Sequence, residues 1–175
     1  MTDCISVLKE RRSCRAYKPE LIEEEKLEKI IEAGTYAATG MGRQAPIIIA
    51  VTNKEMRDRL SAMNAEIMGQ SKEFDPFYGA PELLIVLADK SIPTYIYDGS
   101  LVMGNLMNAA YALGVDSCWI HRAKQEFETE EGKAILKELG IEGDYEGIGH
   151  LVLGYRSSEL SEAAPRKKDY VYYIK

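Results

Sequence analysis

The chain has 175 residues, is 46% hydrophobic and carries a formal charge of -6. That suits one compact domain spanning residues 1–175 with a substantial core, and net acidity without a long basic run argues against general nucleic-acid binding while leaving room for a local pocket that takes one phosphate. Three scattered cysteines (Cys4, Cys14, Cys118), no CxxC pair and two widely separated histidines (His121, His150) argue against a zinc site. The N-terminal stretch lacks the apolar core of a secretion signal and no apolar run is long enough to span a bilayer, so cytoplasm is the expected location, with reduced thiols.

Thr2 or Asp3 is placed to cap a first helix that turns Ile5 and Leu8 inward and ends near Arg11-Arg12. A second helix follows Pro19. Its residues Leu27, Ile30, Ile31 and Gly34 recur at helical spacing, and Glu23, Glu24 and Glu25 load its solvated first turn. Residues 37–45 are small and polar, with two glycines, and read as a loop. Residues 47–51 form a short continuous apolar run, which predicts a strand buried on both faces. Asn53 caps the next helix, whose stripe is Met56, Leu60, Met63 and Ile67. A polar loop and the segment 76–81 then lead into a second buried strand over 83–88.

The spacing predicts a helix over 98–113 that is apolar nearly all round. Val102, Asn105, Leu106, Ala109, Ala110 and Leu113 line one face, and Leu101, Met103, Met107 and Tyr111 occupy much of the rest. A helix of that kind needs more cover than a small domain provides, which points to a subunit interface. Gly114 stops it. A third strand follows over 117–120, then a helix through Ala134, Ile135, Leu136 and Leu139, then a fourth strand over 148–154. The alternating end of the tail, Tyr170 to Ile174, fits an edge strand. Long helices mixed with few strands predict an α+β fold, a three-layer α/β/α sandwich.

Four features carry potential chemistry. In Arg11-Arg12-Ser13-Cys14-Arg15, arginine forks suit bidentate phosphate binding, although basic residues also match the dipole of a helix end. In Thr39-Gly40-Met41-Gly42-Arg43-Gln44, glycines permit close approach of backbone amides to a ligand. An ordinary connection reads the same way, and neither a Walker loop nor a dinucleotide fingerprint fits. Trp119, Ile120, His121 and Arg122 stand at a strand end, where they would form either a pocket wall or a core tryptophan beside a surface histidine. Arg166, Lys167 and Lys168 form a basic tail that also reads as a solvated charge run.

The order and spacing of these features resemble the FMN-dependent nitroreductase family, from about Ile5 to Lys168. The sharpest matches are Arg-Arg-Ser-x-Arg at 11–15 and Leu-Gly-Tyr at 153–155. The resemblance implies a mixed sheet sandwiched by helices, and a homodimer with FMN in a groove at its interface. It assigns Arg11, Arg12 and Ser13 to the FMN phosphate and ribityl chain, and Arg15 to a cation beside the flavin pyrimidine. Arg166 and Lys168 would close over the phosphate. Thr39, Gly40, Met41 and Gln44 would come from the partner subunit. Trp119, Ile120, His121 and Arg122 would lie along the flavin and offer a backbone N–H toward N5. The implied activity is ping-pong transfer of electron pairs from NAD(P)H to a nitroaromatic or quinone, with no side-chain nucleophile, no nucleic acid and no membrane involved. A non-catalytic FMN-binding or redox-sensing dimer, a specialised flavin enzyme such as a reductive dehalogenase, and a ligand-free structural dimer are the alternatives. The sequence departs from the family pattern at Gly42, at Ala45-Pro46, at His121, and in its short segment 70–75.

Overall fold

The computed structural model describes residues 3–175; Thr2, one of the two expected caps, lies outside the described residues. Asp3 caps α1 (Cys4–Glu10), its side chain accepting a hydrogen bond from the Ser6 amide. The helix turns Val7 into the core, whereas Ile5 and Leu8 are exposed. The expected inward pair is thus corrected: with seven residues, α1 reaches the core with one side chain, Val7, and its other apolar positions stay more than half exposed.

Helix α2 (Glu24–Thr35) buries Leu27, Ile30 and Gly34, the stripe its spacing predicts. The loop that follows holds a 3-10 turn over Gly40–Gly42. Strand β1 (Pro46–Val51) leads to α3 (Lys54–Ile67), which the Asn53 side chain caps by accepting from the Met56 amide. Strand β2 (Glu82–Asp89), α4 (Tyr95–Ala112) and β3 (Asp116–Ile120) follow. Two short helices, α5 (Ala123–Glu128) and α6 (Glu130–Glu138), precede β4 (Tyr145–Gly154). Thr129 separates α5 from α6 by accepting from the Gly132 amide.

The sheet runs β1-β2-β4-β3, with every neighbouring pair antiparallel. Parallel pairing is confined to one bridge, Ser13 with Ser117, so the sheet is less mixed than expected. Alternation splits the central strands between two cores. Leu83, Ile85 and Leu87 of β2, His150 and Val152 of β4, and Cys118 and Ile120 of β3 face α3, α5 and α6; Leu84, Val86, Leu151 and Leu153 face α2 and α4. The result is the α+β three-layer sandwich.

Two further expectations are corrected. Strand β1 is an edge strand, only half covered and with Ala50 exposed, because it pairs with β2 alone. The tail from Tyr170 to Ile174 forms no strand and is exposed, since alternation yields a strand only where a sheet edge is within reach. Helix α4 buries Val102, Met103, Leu106 and Ala110 as an inward face and leaves Tyr97 73% and Leu101 50% exposed on the outer one. No helix among the described residues is long and apolar enough to cross a membrane.

Candidate active site

Beyond α1 the chain runs as an extended strap beside β3. The Cys14 amide donates to the Ser117 carbonyl at 3.0 Å, Ser13 and Ser117 form the parallel bridge, and the Tyr17 hydroxyl donates to the Cys14 carbonyl at 3.1 Å. This register brings Arg11, Ser13 and Arg15 to Cys118. Burial pushes the Cys118 thiol up, opposed by the Arg15 charge, a hydrogen bond from Ser13 and the Arg11 charge. Arg12 turns away: its guanidinium donates to the carbonyls of Lys9 and Arg11 at 2.8 and 2.7 Å, closing the end of α1.

Two polar atoms along this seam, Arg11 Nη1 and Ser117 Oγ, are buried without a hydrogen-bond partner among the described residues, and Trp119 Nε1, likewise unpartnered there, lies over Gly149 of β4. Leaving such groups unpaired costs about 1–3 kcal/mol each. A ligand offering acceptor oxygens and a planar face matches that chemistry.

Strand β3 delivers Trp119 and Ile120 to a turn at His121 and Arg122. Arg122 has φ 82° and ψ 4°, a left-handed conformation that a side chain makes costly, and it starts α5. His121 is exposed. Its carbonyl accepts from Asn64 Nδ2 at 2.9 Å, and the Arg122 carbonyl accepts from the Glu126 amide at 2.9 Å. Trp119, His121 and Arg122 line an open groove of about 330 Å³ together with Ile96 and Ser100 of α4 and Ile148 of β4.

The glycine loop lies elsewhere. The Gly40 amide donates to Asp98 Oδ1 at 3.0 Å, and Thr94 Oγ1 donates to Asp98 Oδ2 at 2.9 Å, so the buried carboxylate of α4 ties the loop to the helix start. A Cβ on Gly40 would overlap the Thr94 hydroxyl. The Thr39 hydroxyl accepts from the Gln44 amide at 3.2 Å. Met41 and Gln44 are exposed with φ of 54° and 51°. Thr39 and Gln44 border a separate groove of about 380 Å³ beside Ile47, Ile48 and Val102. Arg166 and Lys168 lie in the exposed tail, where Arg166 donates to the Ala164 carbonyl.

One chain thus assembles Arg11, Ser13, Arg15, Trp119, Ile120, His121 and Arg122 along β3. It does not bring the Thr39–Gln44 loop or the basic tail to them, and it commits Arg12 to α1. Sequence reasoning missed Asn64, Asp98, Ser117, Glu126 and His150. For Asp98 a signal was present: a carboxylate at the head of an otherwise apolar helix.

A three-layer α+β sandwich with a basic strap lying against its β3 edge strand defines the class. A model of the nitroreductase family matches residues 8–155, and the chain belongs to that family. It is similar to the crystal structure of a nitroreductase with bound FMN from Bacteroides fragilis, at 28% identity and a TM-score of 0.88, covering 100% of each chain. A nitroreductase with bound FMN from Desulfitobacterium hafniense gives 26% identity and the same TM-score, again covering 100% of each chain. A relative from Archaeoglobus fulgidus, provisionally named as an NADH dehydrogenase/NAD(P)H nitroreductase, is 30% identical over 164 residues, covering 91% of this chain and 88% of that protein.

Proposed function

We propose that the protein is an FMN-dependent oxidoreductase that works as a homodimer and passes electron pairs from NAD(P)H to a small acceptor such as a nitroaromatic or quinone. The observation that carries this reading is the strap. It sets Arg11, with a buried and unpartnered guanidinium nitrogen, beside Ser13 and Arg15, on the strand that ends in the left-handed Arg122 turn. The two FMN-bound relatives support the cofactor, and the name of the archaeal relative supports the nicotinamide donor.

Arg11 and Ser13 would hold the phosphate and ribityl oxygens through charge-assisted and hydroxyl hydrogen bonds. Bound FMN supplies the two-electron redox chemistry. Arg15 would stand beside the pyrimidine as a fixed positive charge and stabilise negative charge there. The His121–Arg122 backbone would present an N–H at the reacting edge. A second subunit would supply Thr39, Gly40, Met41 and Gln44, and the tail would bring Arg166 and Lys168 over the phosphate. The half-covered β1, the exposed outer face of α4 and the exposed aromatic tail are the apolar surfaces such a dimer would bury. Donor and acceptor would use the same open face in turn, which predicts ping-pong kinetics. The whole chain would act as one domain, and the three unbridged cysteines fit a reducing cytoplasm.

The test is colour and its loss. The purified protein should be yellow with an oxidised-flavin spectrum, should bleach on adding NADH or NADPH, and should recover its colour with a quinone. A colourless protein that gains no flavin on incubation with FMN overturns the reading. A yellow one that neither donor bleaches is a passive binder.

A further inference from the structure

Beneath the His121–Arg122 turn lies a buried carboxyl–imidazole pair in the centre of the α3/α5/α6 core. His150 Nε2 and Glu126 Oε2 are 2.8 Å apart, and both side chains are 0% exposed. His150 sits in the middle of the sheet, opposite Ile85 of β2 on one side and Ile120 of β3 on the other, with the Phe77 ring 5.3 Å away. Glu126 comes from the last turn of α5. All four polar atoms of the pair, His150 Nδ1 and Nε2 and Glu126 Oε1 and Oε2, are buried without a hydrogen-bond partner among the described residues, so the 2.8 Å approach is a close contact and not an aligned hydrogen bond.

Stability does not account for this arrangement. Two apolar side chains of similar volume would fill the space without desolvating a carboxylate and an imidazole, and such replacements are often neutral or stabilising. Position does account for it. His150 is the ladder partner of Ile120, the residue just before the turn. Glu126 donates its amide to the Arg122 carbonyl at 2.9 Å. Asn64 of α3, itself fully buried, donates Nδ2 to the His121 carbonyl at 2.9 Å and leaves its own Oδ1 without a partner. One buried polar side chain, Asn64, therefore bonds the turn directly, and the Glu126–His150 contact joins the two elements that flank it, α5 and β4. The left-handed backbone at Arg122 is a conformation that persists only where its surroundings hold it.

We propose that Asn64, Glu126 and His150 are positioning residues: a buried polar cluster that fixes the His121–Arg122 turn against the reacting edge of the flavin. The proposal rests on the FMN reading given above. Asn64 holds the His121 carbonyl directly. The Glu126–His150 pair locks the axial position of α5 on β4, and through it the Arg122 carbonyl. None of the three reaches the phosphate end of the site, so the effect is on geometry at the turn and not on retention of the cofactor.

The experiment uses the FMN-loaded protein and the variants Asn64→Leu, Glu126→Leu and Glu126→Gln. FMN affinity, visible circular dichroism of the bound flavin, its rate of reduction by NAD(P)H and thermal stability are all measured. Asn64→Leu keeps the branched outline of the side chain, with bulkier methyl ends, and removes the bond to His121. It should retain FMN with an affinity within about threefold of the parent, change the visible dichroism, and slow reduction by roughly ten- to a hundredfold, the cost of a small misplacement at a reacting centre. Glu126→Leu should do the same, and Glu126→Gln, which keeps the shape and a polar end facing His150 Nε2, should restore the parent values. Parent-like dichroism and reduction rate in Asn64→Leu would overturn the proposal whatever the melting temperature, and that variant decides the matter if Glu126→Leu fails to fold. Failure of the underlying FMN reading is distinct, because the parent itself would then take up no flavin.

Discussion

The guanidinium of Arg57 closes on the carboxylate of Asp75 at 2.5 Å, joining α3 to the loop that enters β2. Asp75 also accepts from the Ser61 hydroxyl at 2.7 Å and from the amides of Phe77 and Gly79 at 2.9 and 2.7 Å. Arg57 Nε in turn donates to the Ala80 carbonyl at 2.9 Å, and its guanidinium lies over the Phe77 ring. One ion pair thus organises the connection 75–80, which the sequence marks only as a polar loop followed by two prolines.

Asp75→Asn should destabilise the fold by about 2 kcal/mol, between the scale of an exposed ion pair and that of a fully buried one, because Arg57 is buried and Asp75 only half-buried. Burial pushes the Asp75 carboxyl up, but hydrogen bonds from Arg57, Ser61 and Gly79 together with the Arg57 charge outweigh it, so the net direction is down. A carboxylate held below its unfolded value stabilises the protein above about pH 4 and loses that contribution as pH falls through its lower folded value. Glu82 acts oppositely. Burial raises it against a hydrogen bond from the Ile22 amide, and the cost of keeping it ionised is relieved as pH falls. The informative measurement is the difference in unfolding free energy between parent and Asp75→Asn at pH 7 and below pH 4. It should shrink in acid, and a difference independent of pH would count against the ion-pair account.

Gly147 and Gly34 are both close-approach glycines, yet they should respond differently to alanine. A Cβ on Gly147 of β4 overlaps the backbone of Ala123 and Lys124 at the start of α5, which cannot yield locally. A Cβ on Gly34 of α2 falls 2.5 Å from Leu106 Cδ2, the end of a side chain that can rotate. Urea unfolding should show a loss of at least about 3 kcal/mol for Gly147→Ala and of about 1–2 kcal/mol for Gly34→Ala, respectively at the upper end of the overpacking range and within it. The reverse order would mean that α5 moves more freely on the sheet than its contacts suggest.

The outer face of α4 gives a sharper test of the proposed dimer than its apolar composition does. Met103 is wholly buried within its own chain, so an aspartate there would damage the monomer core and say nothing about assembly. Leu101 is 50% exposed and is the better probe. Sedimentation at micromolar concentration should show the parent at twice the chain mass. Leu101→Asp should shift it toward the monomer and lower FMN retention together. A parent that sediments as a monomer with FMN bound would contradict the two-subunit site.

How much was legible in the sequence follows from how local each signal is. Leu27, Ile30 and Gly34 repeat at helical spacing on one side of α2, and the packing obeys them. Asn53 caps α3 through its own side chain, a contact within three residues. Arg11, Ser13 and Arg15 are nearly contiguous, so one extended strap carries them to the same place. Helix α5 gave no such signal. It has six residues, and its buried positions include Glu126, whose partner His150 lies on another element. Asn64 was invisible for the same reason: its role depends on a carbonyl 57 residues away. The alternation at Tyr170 to Ile174 is real, but no strand of the same chain takes it up. Ile5 and Leu8 show the complementary error, apolar residues in a correct helix that stay largely exposed within one chain.

Within the strap, the two adjacent arginines should part company. Arg11 keeps a buried guanidinium nitrogen without a partner among the described residues, whereas Arg12 spends its guanidinium on the Lys9 and Arg11 carbonyls at the end of α1. If Arg11 meets the FMN phosphate, Arg11→Ala removes a charge-assisted hydrogen bond worth about 1.5–3 kcal/mol, and FMN affinity should fall by roughly ten- to a hundredfold. Arg15→Ala should weaken binding as well, and should also shift the flavin midpoint potential downward by removing the positive charge assigned to the pyrimidine. Arg12→Ala should act mainly on the helix end, costing about 0.5–1 kcal/mol of stability with a smaller loss of affinity. Fluorescence titration of the apoprotein with FMN, run beside thermal melts, separates the two effects. Equal affinity losses at Arg11 and Arg12 would mean that Arg12 leaves α1 when the ligand binds. No loss at either Arg11 or Arg15 would reduce the strap to a basic helix end and remove the main structural support for the FMN site.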